Sequence, residues 1–417
     1  MGCSCLLTAA YLAENSKANQ LLDRLPSDFV GEKRSICQSL FLGALRHGHL
    51  IRAAIKPHIR KGLRPESEAI FLVAGYEMTN SPEEKHPKIV HHAVERGKNF
   101  ISKGELGFLN AVLRKLPEAL KNINADNNPG AYYSHPDWLV AKWQKEFGVD
   151  AAMGLLEWNQ QVPATYLKLY KAPGSTPQGL ELTEWPNFYR ILPGADWSTD
   201  LHPLLNKGTA YIKDPSTRLA PQLLAPKPGE SVLDLCAAPG GKAYDLAHSM
   251  ERKGHIVAVD LPSPRIQRLR ENLANLQTES LRCTIIECDL LQLSEEILKT
   301  SKAPTSFDAV MLDAPCSNTG VIQRRTDVKW RLQPGDIKRC SKLQKELLAQ
   351  SARFVRPGGR LVYSTCSIET AENRAVVDTF LQSELGKSFQ LVDRSTSYPW
   401  QTGHDGAGAF LLMRNPN

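Results

Sequence analysis

Two cysteines and an aspartate stand where a backbone can bring them together. Asp313-Ala314-Pro315-Cys316-Ser317-Asn318-Thr319-Gly320 follows one β-rich run, and Ser364-Thr365-Cys366-Ser367 follows the next. Neighbouring parallel strands put the residues beyond their carboxyl ends on one rim, so two thiols and an acid would share it. A free cysteine is most often a small buried hydrophobe, which is the reading for Cys37, Cys283, Cys288 and Cys340. Cys316 and Cys366 stand at strand ends instead, where a helix N-terminus and basic groups lower a thiol's pKa and favour the nucleophilic thiolate. A second constellation, Asp234-Leu235-Cys236-Ala237-Ala238-Pro239-Gly240-Gly241-Lys242, closes an earlier β-rich run and opens a helical one. Such a turn lets backbone amides and a positive helix end approach a ligand. Ala238-Pro239 breaks the GxGxxG spacing, which argues against a dinucleotide and leaves a nucleoside-containing ligand without pyrophosphate. Asp260 follows near the spacing of about 20 residues at which an acid meets ribose hydroxyls, and Asp289 is placed to accept from an adenine amino group. Either acid alone reads as a helix cap; with the turn they outline a nucleoside pocket.

These residues need a sheet to position them. From Gly229 onward, β-rich runs at 231–236, 255–260, 283–289, 307–313 and 360–366 alternate with helical segments, which predicts a doubly wound parallel sheet of α/β class. Each run ends in Asp or Cys or leads directly into one, and a core strand has no need of an acid there. Residues 1–124 read as helices throughout, with apolar residues at three and four spacing, as in Phe108, Leu109, Val112, Leu113 and Leu116; five or six short helices are expected. Residues 125–134, rich in turn formers, are the expected linker. A small α+β subdomain is expected over 135–228, opening with a helical pair at 137–147 and 151–160 and continuing as short strands punctuated by Pro and Gly.

A length of 417 residues supports two to three domains with proper cores, and 42% hydrophobic with 23% charged residues excludes a disordered or fibrous chain. No apolar run approaches the roughly 18 residues that span a bilayer. The N-terminus, Met1-Gly2-Cys3-Ser4-Cys5-Leu6, lacks the basic flank and apolar stretch of a signal peptide, so a cytoplasmic location is expected. Nine scattered cysteines without a CxxC pair point to reduced thiols and no metal. The net charge of +7 is less informative than its distribution. Five Lys/Arg without an acid lie between Arg52 and Arg64, and eight between Arg324 and Lys345 face only Asp327 and Asp336. Solvated helix faces are the plain reading; nucleic-acid contact is the alternative.

Residues 229–380 resemble the catalytic domain of the RNA cytosine-C5 methyltransferases of the Nol1/Nop2/Sun family. The resemblance lies in LDLCAAPGGK (233–242), AVD (258–260), CDL (288–290), DAPCSNTGV (313–321), DVKW (327–330) and YSTCSI (363–368), followed by Glu372-Asn373. It implies a Rossmann-like domain that uses S-adenosylmethionine as methyl donor, bound by residues 236–242, Asp260, Asp289 and Asp313. It further implies Cys366 as the thiolate that adds to cytosine C6, Cys316 as the group that assists release, Asp313 at the cytosine edge and Lys242 orienting Asp313. The N-terminal bundle resembles the NusB-like RNA-binding domain through residues 108–116. The combination is similar to the ribosomal small-subunit methyltransferase B (Sun/Fmu) group, which implies 16S ribosomal RNA as substrate and a monomer that engages no membrane. In this reading the Arg324–Lys345 patch grips phosphates and Trp330 offers a face for stacking or packing. Departures from the family pattern stand at Lys168-Leu169-Tyr170, Lys213, Asn318 and Asp405-Gly406-Ala407-Gly408-Ala409-Phe410, the last in place of Asp-Gly-Phe-Phe; they are expected in RNA-contacting or framing segments. Competing functions are DNA cytosine-C5 methylation through Cys316, or a non-catalytic assembly or antitermination factor. The additional Thr365-Cys366 and the helical N-terminal extension favour RNA over DNA, and retention of Cys366, Asp313 and the Gly240-Gly241 turn argues against a non-catalytic factor.

Overall fold

The computed structural model describes residues 1–14, 16–171, 174–206 and 208–416. The chain divides into two compact units, Met1–Val162 with Ile322–Pro334, and Pro163–Val321 with Gly335–Asn417.

The first unit is helical, as its periodicity predicts, with seven α-helices between Gly2 and Lys121 among the described residues. Helix Pro65–Thr79 buries Ser67, the run Ala69–Tyr76 and Met78, and acts as the hub. It starts where Pro65 meets the geometry of a first helical turn and Glu66 and Glu68 meet the positive helix end. Helix Lys103–Lys121 opens on a reciprocal cap between Ser102 and Glu105 and buries Leu109, Val112, Leu113 and Leu116 as one stripe. The turn-rich stretch 125–134 is no free linker. Asn128 caps a short helix, Pro129–Tyr132, and Ser134 is buried with its hydroxyl accepting from His49 N at 2.7 Å. The helical pair, Asp137–Phe147 and Val149–Gln160, lies in this first unit, held in part by Gln160 Nε2 donating to Arg46 O.

The second unit holds two sheets. Strands β1 (Tyr166–Leu169), β2 (Leu180–Leu182), β3 (Phe188–Ile191) and β4 (Ala210–Ile212) form a small antiparallel sheet of order β2-β3-β1-β4. The large sheet contains β5 (Ser231–Leu235), β6 (Gly254–Asp260), β7 (Leu281–Glu287), β8 (Phe307–Asp313), β9 (Val355–Thr365), β10 (Phe389–Ser397) and β11 (Ala407–Arg414) in the order β10-β11-β9-β8-β5-β6-β7. The five predicted strands are its parallel part, β5 to β9. They read as near-continuous apolar runs because both faces are covered: Leu233, Val257, Val310 and Leu361 serve one core, Val232, Ile256, Ala309 and Val362 the other. The sheet is mixed, because β11 runs antiparallel to β9 and β10 antiparallel to β11. Strand order reverses between β5 and β8, which opens a crevice at their carboxyl ends.

Candidate functional site

Strands β8 and β9 pair with Asp313 opposite Ser364, so the loops that follow them emerge side by side. Cys316 and Cys366 meet there with their sulfurs 3.2 Å apart. The hydrogen bond to Cys366, together with burial, holds the Cys316 thiol well above its ordinary pKa. Cys316 therefore holds its proton more tightly than a free thiol. Asn318 ties the two loops, its Nδ2 donating to Cys316 O at 2.8 Å while its Oδ1 accepts from Cys366 Sγ at 3.4 Å. It sits at φ +63°, in the left-handed region that Asn tolerates better than most side chains, so this departure from the family pattern keeps the turn. Gly320 cannot vary so freely. A Cβ there would lie 2.5 Å from Gly406 O and 2.8 Å from Cys366 O.

Beneath the thiols lies buried Glu372, whose Oε2 accepts from Ser317 N at 2.9 Å and from Gln344 Nε2 at 3.0 Å. Gln344 also donates to Pro315 O, and Tyr363 donates to Glu372 O. Burial raises the Glu372 carboxyl, against the hydrogen bonds from Ser317 and Gln344. Sequence reasoning quoted Glu372 in a motif but gave it no role; its partners come from segments distant in sequence.

Lys242 forms an ion pair with Asp313, and Ser364 Oγ donates to the other Asp313 oxygen at 3.1 Å. Burial disfavours the Lys242 ammonium, yet Asp313 outweighs it and the Lys242 pKa is raised. The turn after β5 has Cys236 at φ +59° and Gly240 at φ +99°, opening helix Gly241–Ser249. Asp260 closes this turn, accepting from Ala238 N and Leu261 N at 2.7 Å each. Asn272 Nδ2 donates to Pro239 O at 2.7 Å, and Ala237 N to Val259 O at 3.1 Å. Burial, then Asp260 and Asp313, push the Cys236 thiol up, so it is an inert wall. Asp289 caps the turn Leu290–Gln292 through Leu291 N at 2.9 Å, with its second oxygen left for a ligand.

The acid that sequence reasoning passed over is Asp234, taken as the end of a strand. It is fully buried and neither carboxylate oxygen has a hydrogen-bond partner among the described residues. Asp234, Asp260, Asp289 and Asp313 thus gather at the ends of four neighbouring strands. A ligand with hydroxyls and positive charge complements that set, and S-adenosylmethionine carries ribose hydroxyls, an ammonium and a sulfonium. Burial pushes the Asp234 carboxyl up to about 8, opposed by Lys242 and reinforced by Asp313 and Asp260. The ligand-free folded protein therefore holds a proton that the unfolded chain releases near pH 4. The resulting stability is complete below pH 4 and is lost as pH rises towards 8. Asp234→Asn should gain on the wild type by about 1.4 kcal/mol per pH unit across that window. Urea unfolding at pH 5 and pH 7 checks this; a constant difference between the two proteins would show that Asp234 is satisfied and ionised.

The departures at Lys168, Tyr170 and Lys213 share one buried partner. They converge on buried Asp245: Lys213 Nζ donates to its Oδ2 at 2.6 Å, and Lys168 Nζ and Tyr170 OH to its Oδ1 at 2.7 and 3.1 Å. Lys213 also donates to Gly241 O at 2.9 Å, bracing the turn that opens helix Gly241–Ser249.

The basic patches shrink. Lys329 is buried and donates to Arg46 O at 2.7 Å, Arg331 pairs with Asp327, and Arg339 with Asp336. Trp330 is a packing residue, its Nε1 donating to Leu45 O at 2.8 Å and the Arg52 guanidinium lying 4.2 Å from its ring centre. A Cβ at Gly48 would sit 2.1 Å from that ring, so the indole occupies a cradle only glycine leaves open. Exposed Lys338 and Lys342 remain on helix Pro334–Ala352. In the other patch Arg52 pairs with Glu68 and Arg64 with Glu105, while Lys56, Arg60 and Lys61 are exposed.

Residues 221–406 match the family described as 16S rRNA methyltransferase RsmB/F, and residues 7–118 match the NusB family. The ribosomal RNA small subunit methyltransferase B of Pasteurella multocida is 30% identical over 323 residues, covering 74% of this chain and 71% of that protein. The protein of the same name from Proteus mirabilis is 29% identical over 426 residues, covering 98% of this chain and 96% of its own. A solved methyltransferase homologue from Pyrococcus horikoshii, 25% identical, covers 68% of this chain and 97% of its own with a TM-score of 0.56.

Proposed function

Because the chain belongs to the ribosomal RNA small subunit methyltransferase B family and is an S-adenosylmethionine-dependent RNA methyltransferase, we propose that it methylates C5 of a cytosine in 16S ribosomal RNA through a covalent bond between Cys366 and C6. The observation that carries this reading is the thiol pair, 3.2 Å apart, at the ends of adjacent strands beside an anchored aspartate. C5 of cytosine is a weak nucleophile until a thiolate adds to C6, which makes the ring enamine-like and splits one hard step into two. Bound S-adenosylmethionine supplies the electrophilic methyl group.

Within the chain the roles divide as follows. Cys366 adds to C6, and the protonated Cys316 donates to its sulfur. Asp313, held by Lys242 and Ser364, meets the N3 edge of the base and relays to N3 the proton that Cys366 gives up as its sulfur bonds to C6. Cys316 then assists elimination, in which a water takes the C5 proton, the S–C6 bond breaks and Cys366 leaves as the thiolate. Residues 236–242, Asp260 and Asp289 hold the cofactor, with Asp234 facing its positive charge. The NusB-like bundle within residues 1–124 grips RNA phosphates through Lys56, Arg60 and Lys61, residues 229–417 carry the transfer, and the small sheet braces the cofactor turn. A base in a helix hides its C6, so the target lies in a loop or is flipped from its stack.

The test is mass-spectrometric mapping of 16S and transfer RNA after incubation with purified protein and isotope-labelled methyl donor. Label at 5-methylcytidine in 16S RNA is expected. Label at another base, or on transfer RNA alone, would refute the assignment.

A further inference from the structure

We propose that a cavity beside the thiols, flanked by Arg374 and Arg394, binds an RNA phosphodiester next to the target cytosine. This rests on the reading of the protein as an RNA cytosine methyltransferase. The cavity has a volume of about 200 Å³ and is lined by Ser367, Asn373, Arg374, Arg394, Thr396 and Ala407, among others. Its place follows from the chain: Ser367 is the residue after Cys366, and Ala407 lines both this cavity and the narrower one that contains Lys242, Thr365 and Cys366. One wall therefore separates it from the reacting sulfur, the relation expected between a flipped base and its neighbouring phosphate.

The donor set defines the ligand. Arg394 stands on β10 opposite Phe410 of β11, and Thr396 follows two residues on, so both side chains leave the same face. The Arg394 guanidinium has no hydrogen-bond or ion-pair partner among the described residues, although it lines a concave site. Arg374 pairs with Asp378 through Nε at 2.6 Å, which leaves its terminal nitrogens available. The Asn373 side chain is fully used, accepting from Thr365 and donating to Ser367 O, and serves as wall. Among the described residues no carboxylate lines the cavity. The neighbouring carboxylates, Asp378 and Asp393, lie outside the lining, so the two guanidiniums are the charged groups that face the cavity, and guanidinium geometry suits phosphate oxygens. An exposed arginine on an edge strand also discourages strand pairing, but that role needs neither Arg374 nor a cavity.

The experiment is steady-state methylation of a 16S RNA fragment by the full-length protein across a salt series. Arg394→Glu is expected to raise KM for RNA about tenfold or more, to leave kcat and the KM for S-adenosylmethionine within about twofold, and to flatten the slope of log KM against log salt by roughly 0.7. Arg394→Lys should restore most of that slope, since it keeps the charge and loses only the fork. Circular dichroism melts that match the wild type establish that the exposed substitution leaves the fold intact. An RNA KM and salt slope unchanged in Arg394→Glu would overturn the cavity assignment alone. Absence of methyl transfer by the unaltered protein would overturn the RNA-methylation reading and this proposal with it.

Discussion

Cys366→Ala is expected to lower methyl transfer by on the order of 10⁴-fold or more, the scale seen when an activated nucleophile is removed. The reason is specific to the chemistry. Without a thiolate at C6 the cytosine ring keeps its aromatic character, and C5 has too little electron density to take a methyl group. Cofactor binding should survive, because the acids at the ends of β5 to β8 are untouched. Two measurements settle the matter together: labelled methyl incorporation into RNA, and capture on a denaturing gel of a covalent adduct with RNA containing 5-fluorocytidine, whose fluorine blocks elimination. The wild type should form the adduct and the variant should not. If the variant still forms it while Cys316→Ala loses it, the roles of the two thiols are reversed, and the order of attack becomes that of the DNA enzymes.

Cys316→Ala should fail later in the reaction. Cys366 remains to attack, the methyl group is transferred, and the product cannot readily leave. Turnover should fall by on the order of 10²-fold, the usual share of a positioned acid or base, while an enzyme–RNA adduct accumulates with ordinary RNA. The wild type should show no such adduct, which makes the gel a qualitative test. The local frame favours this outcome over simple collapse. The loop carrying Cys316 is held by its backbone, through Ser317 N to Glu372, Pro315 O to Gln344 and Gly320 N to Cys366 O, and none of these bonds uses the Cys316 sulfur. A variant that turns over normally and traps nothing would remove Cys316 from the release step.

Much of this site was legible before any coordinates. Strands buried on both faces give unbroken apolar runs, and an acid or thiol after such a run stands out; hence β5 to β9 and the placing of Asp260, Asp289, Asp313, Cys316 and Cys366 beside those strands' ends. Strand β10 escaped because an edge strand carries polar residues on both sides, here Asp393, Arg394, Ser395 and Thr396. Asp234 escaped because one buried acid in an apolar run looks like the last residue of the strand; its lack of a partner is visible only in three dimensions. The Lys168, Lys213 and Asp245 cluster joins residues as much as 77 positions apart, and no local pattern announces that an exposed-looking lysine will turn inward. Trp330 is the extreme case, since its carbonyl partner lies 285 residues earlier.

That last separation bears on how the molecule comes into being. The helical unit takes its final piece, Ile322–Pro334, from a point three-quarters of the way along the chain. During synthesis the first 162 residues emerge with the indole cradle at Gly48 still empty and Arg46 still waiting for Lys329. Domains ordinarily mature in the order in which they leave the ribosome. Here the first to emerge is among the last to finish, and its completion reports that the loop bearing Cys316 has already been made.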